Sequence, residues 1–112
     1  MESEHAIEKL SSLAHAGRLS VFRLLVKAAP DGLAAGDIAR QLNIPPNTLS
    51  AQLTILSHAG LVQHRREGRS IIYSADTSAM TDLILYLMQD CCSGRPEICE
   101  PVLDAVNKAS CC

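Results

Sequence analysis

Apolar residues at Ala6, Ile7, Leu10, Leu13 and Ala14 recur at the spacing of one helical face, which predicts a helix over residues 4–16. Gly17 is expected to interrupt it. From Arg18 the apolar positions Leu19, Val21, Phe22, Leu24, Leu25 and Val26 are too many for one stripe, so the second helix is expected to be central and well buried. Ala29-Pro30-Asp31-Gly32 is a strong turn signal that ends it. A short helix over residues 37–42 follows, and Asn43-Ile44-Pro45-Pro46 breaks it. Proline fits the first helical turn, where its missing N–H has no partner to lose, so Pro46 is expected to open a third helix running to His58-Ala59. Leu49, Leu53 and Leu56 form its core face, and Gly60 stops it.

Residues 61–67 and 70–74 read as two short strands, with Gly68-Arg69 as a hairpin turn between them. A last long helix begins near Thr77 or Ser78, with Met80, Leu83, Ile84, Leu87 and Met88 as its main stripe and Leu85 and Tyr86 widening it. That face exceeds what one small domain needs to cover, which suggests packing against a second subunit. Gly94-Arg95-Pro96 stops the helix, and residues 101–109 are expected to form a short final one. No internal repeat, low-complexity stretch or linker interrupts the order. Helix, helix, helix-turn-helix, hairpin, helix is a winged helix in outline: mainly α with a small β-hairpin, on one domain over residues 1–112.

Composition adds limits. The chain has 112 residues, 47% hydrophobic and 20% charged, enough to bury a core. No apolar run approaches the roughly 18 residues of a membrane span, so no membrane association is expected. The acidic Met1-Glu2-Ser3-Glu4-His5 start, followed by no apolar run, is not expected to be a secretory signal, and a cytoplasmic location is expected. In that reducing compartment the five Cys are not expected to form structural disulfides. One Phe, two Tyr and no Trp leave no aromatic platform for single-stranded nucleic acid.

The net charge of -2 argues against nucleic acid until it is divided by region. Residues 1–17 carry -2 and residues 71–112 carry -4. Residues 18–70 carry Arg18, Arg23, Lys27, Arg40, Arg65, Arg66 and Arg69 against Asp31, Asp37 and Glu67, for +4. The middle is therefore a cationic region on an otherwise anionic chain. Within it, the third helix opens Asn47-Thr48-Leu49-Ser50-Ala51-Gln52. Asn and Gln can bind adenine with two hydrogen bonds, and Ser and Thr can bind bases or phosphates. No acidic residue lies between Ile44 and Arg66, which suits approach to a polyanion. Arg65, Arg66 and Arg69 surround the hairpin tip, placed to meet phosphates or a minor groove. Asn47, Thr48, Ser50, Ala51, Gln52 and these three Arg are the candidate contacts to double-stranded DNA.

Several motifs in order extend this reading. They are 13–19 (LAHAGRL), 38–42 (IARQL), 48–53 (TLSAQL), 56–62 (LSHAGLV) and 66–73 (REGRSIIY). Together they resemble the ArsR/SmtB family of metal-responsive repressors over about residues 8–92, leaving residues 93–112 as a Cys-bearing tail. The resemblance implies a homodimeric winged helix-turn-helix that binds a palindromic operator and releases it when a metal or metalloid binds. It also implies a dimer interface on the first and last long helices, to which Ile7, Leu10, Leu83, Ile84 and Leu87 are assigned. The family commonly has Ser-x-His-Leu where this chain has Ser50-Ala51-Gln52-Leu53, a departure that bears on the operator sequence.

Sensor sites in this family differ in location. The arsenic-sensing prototype's Cys-x-Cys-Asp falls on Ala34-Ala35-Gly36-Asp37, so that site is absent. Zinc sensors use His and carboxylates on the last helix, which here has Asp82 and no His. His5, His15, His58 and His64 offer no i, i+4 pair and read as surface or satisfied core residues. What remains is the Cys-rich end: all five Cys lie in the last 22 residues. Thiolates select soft ions, and adjacent Cys rarely pair because the ring is strained. The segment around Cys91, Cys92 and Cys99 resembles the arsenite-responsive subgroup with a C-terminal site, which implies that these three bind arsenite, As(III), as inducer, with Sb(III) a second candidate. Cys111 and Cys112 are either a frayed end or auxiliary thiols that capture the ion first or replace a ligand. Two alternatives stay open: a thiol-redox switch at the same Cys, and response to Cd(II) or Pb(II). A thiol enzyme would need Cys-x-x-Cys or Cys-x5-Arg, and the sequence has neither, so no catalytic residues are assigned.

Overall fold

A computed structural model describes residues 1–88, 100–102, 104 and 105. Its elements are α1 (Ser3–Leu13), α2 (Ala16–Lys27), β1 (Leu33–Ala34), α3 (Ala35–Leu42), α4 (Pro46–His58), β2 (Val62–Glu67), β3 (Ser70–Ala75) and α5 (Thr77–Met88). The strands form one antiparallel sheet in the order β1-β3-β2. This is the winged helix-turn-helix that the element order predicts.

The first break falls earlier than Gly17. α1 ends at Leu13, and His15 caps α2, its Nδ1 accepting from the backbone N–H of Gly17 at 3.1 Å and of Arg18 at 3.4 Å. A side-chain acceptor on the first amides of a helix is a stronger start signal than a glycine is a stop signal, so Gly17 lies inside α2. Arg18 turns back to donate from Nε to the Ser12 carbonyl at 2.6 Å and from Nη2 to that of Ser11 at 3.5 Å, satisfying carbonyls at the end of α1.

α3 and α4 end alike. Asn43 takes φ 53 after α3, and Ile44 N–H bonds the Ala39 carbonyl five residues back. Gly60 takes φ 81 after α4, and Leu61 N–H bonds the Leu56 carbonyl. Both are left-handed terminations that fold the chain back against its helix. The first sets the turn between α3 and α4, and the second delivers the chain into β2.

Val21, Phe22 and Leu25 of α2 meet Ile38 of α3, Leu49, Leu53 and Leu56 of α4, and Leu61, Val62 and Ala75 at the base of the hairpin. This core fixes α4 and the hairpin relative to α2. β1 is an addition: Leu33 and Ala34 pair with Tyr73 and Ile72, giving the hairpin a third strand at its base. α5 packs on α1, and Leu83 is its buried residue at 5% exposure. Residues 101, 102, 104 and 105, within the expected final helix, are helical. No helix among the described residues is long and apolar enough to cross a membrane.

Candidate nucleic-acid interface

The edge of α4 that leaves the core is polar. Asn47, Thr48, Ser50 and Ala51 are exposed, and no acidic residue lies in the first turn. Pro46 stands at the first helical position, and no side chain caps the N-terminus. The amides of Asn47 and Thr48 are therefore left without a capping side chain, which favours an anion at this end. Four of the five expected α4 contacts thus share one accessible edge.

Gln52 does not. Its side chain points into the protein at 8% exposure, and Oε1 is buried without a hydrogen-bond partner. The amide lies over Gly17: a Cβ built there would stand 2.3 Å from Nε2 and 3.2 Å from Cδ. The expectation that Gln52 reads a base edge is corrected by this geometry. Position 52 is three residues after Leu49 and four before Leu56, so it belongs to the core stripe, and that periodicity was the signal available in the sequence. The glutamine joins α4 to the start of α2.

The wing's cations are also divided. Along β2, Val62, His64 and Arg66 share one face with Ala75, Tyr73 and Ile71 of β3. Val62 and Ala75 are core residues, so this face turns toward the helices. Arg65 points to the other face. Its Nε donates to Glu67 Oε1 and its Nη2 to the Asp31 carbonyl, both at 2.9 Å, which ties the wing to the loop before β1. Arg66 donates from Nε to the Gly68 carbonyl at 3.3 Å, bracing the hairpin tip. Gly68 takes φ 61, the left-handed value that a first loop residue needs in a two-residue hairpin. Arg69 at the tip has no hydrogen-bond or ion-pair partner among the described residues. Arg40 pairs with Asp37 on α3, and Arg18 serves α1, so neither is a free cation.

The expected interface residues also separate. Ile7 is 62% exposed, Ile84 50%, Leu87 49% and Leu10 42%, and Leu85 is exposed beside them. Leu83 is already buried within its own chain, so it has little surface left to give a partner subunit. Ile7, Leu10, Ile84 and Leu87 are the members of the expected set that present exposed apolar surface. Among the described residues no cluster of three His, Cys, Asp or Glu is arranged to hold a metal. The thiol site expected at Cys91, Cys92 and Cys99, with Cys111 and Cys112, lies outside the described residues.

A helix-turn-helix domain family matches residues 13–65. The chain is 36% identical over 56 residues to the transcriptional repressor SdpR of Bacillus subtilis, covering 50% of this chain and 62% of that one. Its matches span 52% to 66% of the length of the curated relatives. NolR from Sinorhizobium fredii has a solved structure that is 33% identical, with 72% of this chain and 79% of that one covered at a TM-score of 0.61. The homodimeric winged helix-turn-helix DNA-binding domain of a possible ArsR-family transcriptional regulator from Mycobacterium bovis is 27% identical. That likeness covers 78% of this chain and 80% of the other at a TM-score of 0.62.

Proposed function

We propose that the chain is an ArsR-type winged helix-turn-helix regulator that represses transcription as a homodimer on operator DNA and is released by As(III). The observation that carries the DNA half is the exposed, acid-free edge of α4 beside a wing whose tip Arg69 has no partner. Asn47, Thr48, Ser50 and Ala51 face the major groove, and Arg66 and Arg69 meet the backbone or the adjacent minor groove. A dimer supplies two such helices, which must stand about 34 Å apart to enter successive major grooves. The exposed apolar side chains Ile7, Leu10, Ile84 and Leu87 on α1 and α5 support the dimer.

The sensing half rests on thiol placement along the chain. All five Cys follow α5, and Cys91 and Cys92 come three and four residues after its last residue, Met88. Three thiolates suit a soft, three-coordinate ion such as As(III) or Sb(III). Drawing Cys99 toward Cys91 and Cys92 would act at the end of a helix in the proposed interface and change the spacing of the two reading helices. Linkage then requires DNA to weaken As(III) binding by the same factor. The test is a gel shift on DNA from upstream of the chain's own gene. Wild type should bind and be released by arsenite, whereas a C91S/C92S/C99S variant should bind and stay bound. Release of that variant by arsenite refutes the ligand assignment, and release of wild type by peroxide without arsenite identifies a redox switch instead.

A further inference from the structure

Between α4 and the wing lies a cleft of about 220 Å³, lined by Leu53, Thr54, Ser57 and His58 on the helix and by His64 and Tyr73 on the hairpin. No helical or strand period brings His58 and His64 together. The left-handed turn at Gly60 does so, reversing the chain between the end of α4 and β2. His64 and Tyr73 stand directly opposite each other on the helix-facing side of the hairpin, their rings 5.7 Å apart.

The donors in this cleft are unevenly engaged. The Thr54 hydroxyl donates to the Ser50 carbonyl at 2.9 Å. The hydroxyls of Ser57 and Tyr73 and the ring nitrogens of His58 and His64 have no hydrogen-bond partner among the described residues. No carboxylate lines the cleft. His58 also borders a separate groove between α1 and α4, where Glu4 and Glu8 share the lining with Arg18. Four free groups able to donate, with no carboxylate facing them, suit an anion.

The cleft also has a place on the DNA-facing surface. Asn47, Ala51, Thr54 and His58 follow one another at four-, three- and four-residue steps, so the cleft continues the exposed edge of α4. Arg66 comes next after His64 on the same face of β2. A duplex with α4 in its major groove and the wing at its minor groove has a sugar-phosphate strand crossing between them. We propose that this cleft seats one phosphodiester of that strand, with His58, His64, Ser57 and Tyr73 as donors. This rests on the DNA-binding reading above. The contact fixes register and carries no base information.

The test is fluorescence anisotropy at fixed salt with two labelled duplexes of equal length, one from upstream of the gene and one scrambled. H58A/H64A should weaken both by the same factor, about tenfold, and Y73F, which removes only the hydroxyl, should weaken both about threefold. Thermal unfolding of each variant should match wild type. Wild-type affinity in both variants overturns the subsite, and so does a loss confined to the upstream duplex, which marks a base contact. If wild type binds neither duplex, the DNA-binding reading itself has failed and the subsite falls with it.

Discussion

Replacing Gly17 with Ala places a methyl 2.3 Å from Gln52 Nε2, 3.2 Å from its Cδ and 3.2 Å from His15 Cε1, all inside ordinary carbon contact. Nε2 is the end of a flexible side chain, and an exposed glutamine would swing aside at little cost. Gln52 is 8% exposed between α4 and α2, so it can move only by opening that contact. Overpacking of this kind costs about 1–3 kcal/mol. Against it stands the gain of about 1 kcal/mol from exchanging Gly for Ala in a helix. Taking about 2 kcal/mol for the clash, G17A should destabilise by about 1 kcal/mol, or about 4 °C in a domain of this size. In a Q52A background the Gln52 clash is gone and only the His15 Cε1 contact at 3.2 Å remains, so the same change should stabilise by up to about 1 kcal/mol. The cycle thus has a coupling of up to about 2 kcal/mol and a reversal of sign. It is read by urea unfolding of the four proteins, at one protein concentration because a dimer's stability depends on it. If G17A shifts stability equally in both backgrounds, Gln52 does not occupy that space. The reading of Gln52 as a joint rather than a base reader is then refuted, and its amide is available to DNA.

Three further outcomes follow from the same geometry. N43A should lose about 1 kcal/mol in urea unfolding and N43G should not, because position 43 holds φ 53, where a Cβ is disfavoured and Asn is tolerated. I84D should dissociate the proposed dimer in sedimentation without unfolding the protomer. L83A should instead cost about 2–5 kcal/mol of stability, as truncation of a buried Leu does. R69A should reduce the salt dependence of DNA binding by about one unit of slope per protomer. R65A should reduce it less and should speed amide exchange in β2 and β3, because Arg65 ties the wing to the Asp31 carbonyl.

Much of the architecture was legible from the chain. α4 begins at Pro46 and its last turn is closed by Gly60, as the sequence pattern predicts, because both are effects of one residue's own backbone preferences. The hairpin was legible for the same reason: its two-residue turn needs a left-handed first residue, and Gly68 stands there. β1 was not, since a two-residue strand has no period of its own and exists only through its pairing with Tyr73 and Ile72. The break after α1 falls before Gly17 because His15 caps α2, and His is not among the residue types whose presence signals a helix start.

The site divides along the same line. Residue types alone determine that a polar, acid-free helix start precedes an arginine-bearing hairpin, and that all thiols lie at the far end of the chain. Tertiary structure decides which of those residues are free. It turns Gln52 inward onto Gly17, binds Arg65 to the loop before β1, commits Arg18 to the end of α1, and buries Leu83 while leaving Ile84 and Leu87 exposed. It also brings His58 and His64 to one cleft, a pairing that no sequence spacing suggests. The physical reason is range. Helix caps, turns and periodicity act over a few neighbouring residues and can be read in order, whereas the engagement of a long polar side chain depends on which distant backbone or side chain the fold sets beside it.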